Sequence, residues 1–374
     1  MIYSNRHLIA YIKPENNILW LFFEQLRVLY RFLRKGIKSP VYNTYIIDFY
    51  EKDMLMRQKI LKELLENRDI YISGSELAGR LGISRVAVWK HIEALKAEGY
   101  EINGVSGKGY RLNDKGAIMP ETVKAGLAGQ LIGREILYYP RLDSSSEALK
   151  RSLKDQAIEE GTVYVAGKQE QGKGRRGRRW ESPAGGLWFS FLLHPDLAMS
   201  QIALLSLTFA VALTRSLDNL GPVCIKWPND VYYRDKKIAG ILLEMSGEID
   251  SADYLIVGIG LNLNIKQGDF PGRVALDATS LMEEGGKAIA ANDMLISVLK
   301  ELNRYYREFL HSGFAGIRLE FKSLCMHLGK EIEVIQGPKK IHGINSDIDE
   351  MGNLIIENQG GRTRISTGDV RVVN

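Results

Sequence analysis

Cysteine is scarce: the chain of 374 residues contains two, Cys224 and Cys325. Two thiols cannot make a disulfide framework, and such sparing use fits a reducing compartment, the cytoplasm. Zinc-ligand spacing is missing too. No apolar run reaches membrane-spanning length, and the N-terminus lacks the small-residue cleavage pattern of a signal peptide. A large excess of one charge is also absent. The formal net charge of +5 permits anionic partners without demanding them. What remains is 45% hydrophobic and 25% charged, an ordinary globular composition, in a chain long enough for two or three domains.

The stretch that stands out is 169–180, Gln-Glu-Gln-Gly-Lys-Gly-Arg-Arg-Gly-Arg-Arg-Trp. Gly172, Gly174 and Gly177 alternate with Lys173, Arg175, Arg176, Arg178 and Arg179. Glycine lets the backbone approach a ligand, and arginine offers a planar fork of donors for phosphate or carboxylate. A dinucleotide fingerprint is excluded: Gly172-x-Gly174-x-x-Gly177 is followed by the apolar run 187–193, which reads as a buried strand and not as the required helix. A P-loop is excluded because Gly174 stands where Ser or Thr must hold magnesium. A solvated basic patch, or one that binds nucleic acid, fits the cluster taken alone.

The wider sequence points elsewhere. This loop, with Lys226-Trp227-Pro228-Asn229-Asp230 and Lys237-Ile238-Ala239-Gly240-Ile241-Leu242, resembles the biotin–protein ligase family. With its N-terminal segment the chain is similar to the bifunctional bacterial branch, in which the ligase also represses the biotin operon. The resemblance runs over residues 54–374 and implies an α+β multidomain chain. Its parts would be a winged helix-turn-helix over 54–115, a class II synthetase-like α/β ligase domain with a mixed sheet over 116–327, and an SH3-like β-barrel over 328–374. Residues 1–53 fall outside it. There Trp20, Phe23, Leu26, Tyr30 and Leu33 recur near helical spacing, and we expect the natural start codon near Met54 or Met56. Mass spectrometry of the natively expressed protein checks that expectation.

Residues 56–113 read as a winged helix-turn-helix in their own right. Ile60, Leu61, Leu64 and Leu65 make one helical face. Ser73 and Glu76 form a capping-box pattern, Gly82 turns the chain, and Ser84 caps a second helix. On it Val86, Val88, Ile92 and Leu95 are expected in the core, leaving Arg85, Lys90, His91 and Lys96 outside, as in a recognition helix. Tyr100–Leu112 reads as two strands around a glycine-rich tip, where Lys108 could reach phosphate. Ser84, Arg85, Lys90, His91 and Lys108 are the expected DNA contacts. A plain three-helix interaction module is the alternative. Asn113–Pro120 reads as a polar joint, with Pro120 opening a helix.

In the central domain Ile136–Tyr139 and Thr162–Ala166 read as strands, and Asp143-Ser144-Ser145-Ser146 opens a helix. One serine serves as N-cap. By resemblance the run holds the ureido ring of biotin, with Ser146 where the family has asparagine. Lys173 stands where the family has arginine. The resemblance also places Gln169, Lys173, Gly174, Arg175, Lys226 and Gly240 around biotin, Gly240 leaving room for the bicyclic ring. Arg175 would meet the α-phosphate, and Lys226 the biotin carboxylate or acyl-phosphate oxygen; these two are the expected catalytic residues. Arg176 and Arg178 would order the loop or meet the triphosphate. Trp180 could stack on adenine or anchor the loop in the core. Asn229 suits adenine or phosphate, Asp230 suits magnesium or Lys237, and Asn262 adds a polar contact. Ile202–Leu217, Asn292–Phe309 and Gly313–His327 read as helices. Short alternating segments beyond residue 329 read as the small barrel.

The implied chemistry is ATP-dependent: biotin is activated as biotinyl-5′-AMP with Mg²⁺ on the phosphates, then passed to a lysine of a biotin carboxyl carrier protein. Operator DNA is the second expected partner, bound by a homodimer when adenylate is present. Rival readings are a lipoate-type ligase, a regulator whose ligase domain only senses, and a ligase whose winged helix binds no DNA.

Overall fold

The computed structural model describes residues 42–373 except 68–69, 98–99, 114–117, 156, 249–250 and 273. The apolar residues noted over 20–33 lie outside them, as does half of the joint, residues 114–117. The chain divides into two compact units, one ending at Ala97 and taking in Ile102–Arg111, the other running from Leu112 onward.

The smaller unit contains α1 (Tyr42–Glu66), α2 (Gly74–Leu81), α3 (Arg85–Ala97) and the hairpin β1 (Ile102–Val105) and β2 (Gly109–Leu112). Ser73 Oγ accepts the Glu76 N–H at 3.1 Å, and Gly82, at φ 67°, closes α2. The Glu76 carboxylate does not return to the cap: it pairs with Arg80 at 2.7 Å, which also holds Glu63 at 2.6 Å. Ser84 Oγ accepts from Ala87 N–H at 3.1 Å and so caps α3. Ile60, Leu64, Leu77, Val88, Ile92 and Leu95 are buried. Ile72 bridges Tyr110, adding a rung to the wing. Two expectations for α3 need correction. Val86 is 63% exposed. His91 is turned inward, 15% exposed, with Nδ1 3.5 Å from Asp53 on α1.

The larger unit is built on seven strands: β3 (Ile136–Leu142), β4 (Val163–Gln169), β5 (Leu187–Leu193), β6 (Val223–Lys226), β7 (Asp230–Tyr233), β8 (Lys236–Glu248) and β9 (Ser251–Leu261). Their order is β3-β4-β5-β9-β8-β7-β6. Only β3 and β4 run parallel, so the sheet is mixed. Alternate residues of a strand face opposite sides. Val163, Phe191, Leu193, Leu255 and Val257 belong to the core that includes α6 (Met199–Arg215) and α9 (Ala291–Leu324). Tyr164, Leu192 and Ile256 pack instead with Ala148 and Leu149 of α5 (Ser145–Asp155). Covering on both faces explains why every residue of β5 is buried. Helix α9 is interrupted at Gly313, whose φ of 64° lies outside the helical region, so the two expected helices are present end to end. Pro120 is the first residue of α4 (Pro120–Gly126), and the short α7 (Val274–Asp277) and α8 (Leu281–Gly285) lie between β9 and α9.

Beyond α9 come five antiparallel strands: β10 (Glu331–Gln336), β11 (Lys339–Ile348), β12 (Leu354–Asn358), β13 (Gly361–Ile365) and β14 (Asp369–Val372), ordered β13-β12-β11-β10-β14. This is the expected small β-domain, with one strand, β14, that the alternation did not reveal. It docks on the ligase sheet through buried polar bonds. Trp227 Nε1 donates to Gly352 O at 2.8 Å, and Trp227 N–H donates to His327 Nε2 at 3.1 Å. His327 Nδ1 therefore carries the proton. Turning the Asn345 amide so that its oxygen meets Nδ1, 3.0 Å from the present nitrogen, also gives the otherwise unpartnered Asn345 Oδ1 a donor. Among the described residues no helix is long and apolar enough to cross a membrane.

Candidate functional site

A cavity of about 770 Å³ opens on the α5 side of the seven-stranded sheet, beyond that helix's N-terminus. Strand register explains the hollow. Ser190, Gly258 and Leu242 sit side by side on β5, β9 and β8, and the next row is Trp188, Gly260 and Gly240. Glycines in two adjacent rows remove the side chains that would fill that face.

One end is lined by hydroxyls. Ser145 Oγ lies 2.7 Å and Ser146 Oγ 3.0 Å from Ser190 Oγ. Gln169 Oε1 accepts from Ser145 N–H at 2.8 Å and Ser145 Oγ at 3.0 Å, while its amide donates to Ser182 Oγ at 2.9 Å. Ser144 precedes the helix, its carbonyl accepting from Ala148. Ser144, Ser145 and Ser146 are buried, and the hydroxyls of Ser145 and Ser146 are satisfied by Ser190 and Gln169. A polar ligand head can displace these bonds without stranding a donor.

The centre holds two cations. Lys226 Nζ reaches Tyr232 Oη at 3.3 Å. Burial lowers its pKa, against the pull of Asp230. Arg175 donates to Asn229 Oδ1 at 3.0 Å, and burial lowers its pKa too, again opposed by Asp230. Neither is in an ion pair among the described residues. The other loop cations are engaged. Lys173 pairs with Glu147 at 2.6 Å, Arg178 with Asp369 at 2.7 Å, Arg176 with Asp369 at 3.6 Å and Arg179 with Glu181 at 3.1 Å. Arg176 sits at φ 56°, in the left-handed region, and also donates to Thr367 Oγ1 at 3.3 Å. Gly174 N–H closes the turn on Arg178 O at 2.7 Å. The loop is thus folded down, clamped at one end by α5 and at the other by β14.

Two sequence expectations change in detail, those for Gly240 and for the asparagines. The space left by Gly240 holds the Trp180 indole, not a free recess: a Cβ there would meet Cζ3 at 3.0 Å. Gly258 is the glycine beside the serines, where a Cβ would lie 3.0 Å from Ser146 Oγ. The asparagines are braces. Asn229 Nδ2 donates to Ile241 O while its oxygen takes Arg175, and Asn262 Nδ2 donates to Thr279 O at 2.9 Å and Lys237 O at 3.4 Å. Asp230 pairs with Lys237 at 2.6 Å, and Lys237 lies 5.0 Å over the Trp180 ring. Trp180 both anchors the loop, edge-on to Trp188 at 6.5 Å, and lines the cavity, with a buried Nε1 that has no partner. Ser190, Tyr232, Glu147, Asp369 and Arg371 were not foreseen. Only Ser190 gave a signal, as the one hydroxyl in an apolar run.

In the smaller unit Ser84, Arg85, Lys90 and Lys108 are exposed as expected; His91 is not.

Three family models match the chain: an HTH domain over residues 56–111, the biotin/lipoate A/B protein ligase family over 138–262 and the biotin protein ligase C terminal domain over 327–372. The bifunctional ligase/repressor BirA of Bacillus subtilis is 35% identical over 325 residues, covering 85% of this chain and 100% of the relative. The chain belongs to the BirA family of bifunctional ligase/repressors. The Escherichia coli BirA is 31% identical over 83% of this chain and 94% of its own length. The Aquifex aeolicus biotin protein ligase, in a structure with biotin and ATP, superposes with a TM-score of 0.57 at 33% identity, over 64% of this chain and 99% of that one. Within the BirA assignment the HTH match falls on the small unit, and both ligase matches fall on the large one.

Proposed function

We propose that this ligase/repressor runs its ligase reaction in the 770 Å³ cavity, with biotin's ureido ring among Ser144, Ser145, Ser146, Ser190 and Gln169 and its carboxylate directed at Lys226. Two anions, a carboxylate and a triphosphate, must be brought together, and a site for them must supply charge that is not already neutralised. Arg175 and Lys226 are the cations that meet that need. The carrying observation is that one cavity joins a buried hydroxyl cluster to these two unpaired cations. A biotin carboxylate oxygen attacks the α-phosphorus of ATP, the bond to the β,γ-phosphates breaks, and pyrophosphate leaves. A lysine amine of a biotin carboxyl carrier protein then attacks the acyl carbon, AMP departs and an amide remains. Positioning and charge neutralisation do the catalysis.

Trp180 and Lys237 face the nucleotide end. Magnesium enters on ATP. No cluster of three metal-ligating side chains exists among the described residues, and Asp230 is the carboxylate that could add one bond once Lys237 turns to phosphate. The winged helix binds operator DNA through Arg85, Lys90 and Lys108, as a homodimer when biotinyl-5′-AMP is bound, and the protein acts in the cytoplasm. Pyrophosphate release from ATP should require biotin and be unaffected by lipoate. Release that is equal without biotin, or supported by lipoate, would refute the reading.

A further inference from the structure

The exposed face of α3 is not simply polar. Arg85, Val86, Trp89 and Lys90 occupy the first, second, fifth and sixth positions of the helix, one contiguous face on a 3.6-residue period. Val86 is 63% and Trp89 53% exposed. The opposite face, Val88, Ile92 and Leu95, is fully buried. Two neighbouring large apolar side chains held in water are a poor arrangement for a surface that only needs solubility. They also lie between two cations, Arg85 and Lys90, that have no ion-pair partner among the described residues, while Glu93, one turn further on, is neutralised by Lys96 at 2.8 Å.

We propose that Val86 and Trp89 read thymine C5-methyl groups in the major groove of the operator. This rests on the repressor reading above and adds sequence discrimination to it. The charge pattern commits the face to a polyanion. The first turns of a recognition helix are the part that reaches base edges, and thymine's methyl is the one apolar group displayed there. Arg85 supplies a phosphate or guanine contact on one side and Lys90 a phosphate contact on the other. The apolar pair would reject cytosine, which has no methyl, at the same steps.

The test begins with duplexes selected from a random-sequence DNA library by the full-length protein with biotin, magnesium and ATP. Each thymine of the selected sequence is then replaced singly by deoxyuridine, which removes only the methyl. We expect one or two positions per half-site to lose about four-fold in affinity, the worth of burying one such group. Val86→Ala and Trp89→Ala should abolish that loss at separate positions, while biotin-dependent pyrophosphate release stays at the wild-type rate. Lys90→Ala should instead weaken all duplexes alike. Deoxyuridine effects that are absent, or equal in wild type and variants, overturn the inference and leave the repressor reading intact. A variant that changes the molecular mass in solution but not base preference overturns it in favour of an interface between copies. Failure of the wild type to select any sequence removes the repressor reading itself.

Discussion

Asp369 should control how long the activated intermediate survives. It holds two arginines of the glycine–arginine loop, Arg178 at 2.7 Å and Arg176 at 3.6 Å. Replacing it by asparagine keeps the shape and removes the charge. The three side chains are 44%, 60% and 43% exposed, so water screens both pairs, and each is worth roughly 0.2–1 kcal/mol. Loss of both should shift the loop from closed toward open by about 1 kcal/mol, roughly five-fold. The measurement is release of biotinyl-5′-AMP into solution, by filtration without carrier protein, in 20 mM and 500 mM salt. Wild type should leak about five-fold more at the higher salt, where exposed pairs are screened. Asp369→Asn should leak at that rate in both. The pH dependence has a defined sign. Burial raises the Asp369 pKa, but the Arg178 hydrogen bond and the arginine charges outweigh it and hold it below its ordinary value. The clamp is therefore complete above the ordinary carboxylate range and lost only as pH falls through the lower, folded value. Leakage that is identical in Asp369→Asn and wild type at low salt refutes the clamp.

Gly258→Ala should narrow the hydroxyl end, since its Cβ would lie 3.0 Å from Ser146 Oγ and 3.4 Å from Ser190 Oγ; steady-state kinetics should show KM for biotin rising several-fold with KM for ATP unchanged. Lys226→Met should lower the single-turnover rate of pyrophosphate release on the order of 10²–10³-fold, the usual cost of deleting a donor at a developing charge, and a loss below ten-fold argues against its role. His327 should make the protein acid-sensitive. Burial first, then Lys226 and Lys330, lowers its pKa to about 4, so between the unfolded value near 6.5 and about 4 the unfolded chain binds the extra proton. Stability is full above that window and falls on acidification by about 3 kcal/mol in all. Thermal melts from pH 7 to 4.5 should show this slope, and His327→Gln should flatten it.

What could be read in the chain were features that chemistry demands in contiguous residues. The loop 169–180 and Lys226-Trp227-Pro228-Asn229-Asp230 show their residue types in order, and the structure brings both to one cavity. The recognition helix was legible except for His91, turned inward toward Asp53, and Val86, where the phase decides: two residues before Val88 is about 200° around a helix. A residue on the face of Val88, Ile92 and Leu95 cannot be joined by Val86, which points to the opposite side. Strand glycines are harder. Gly240 and Gly258 have the same sequence signature, and only register places the first under Trp180 and the second beside the serines. Asp369 gave least of all. It lies in a four-residue strand, about 190 positions from the arginines it binds, with nothing local to mark it. Its place depends on the small β-domain docking through Trp227 and His327. The sequence that turns into the Lys226 segment thus also carries, at Trp227, the bond that seats Asp369 on the loop. A perturbation of that docking, such as protonation of His327, should therefore loosen the loop and speed adenylate loss before the ligase domain itself unfolds.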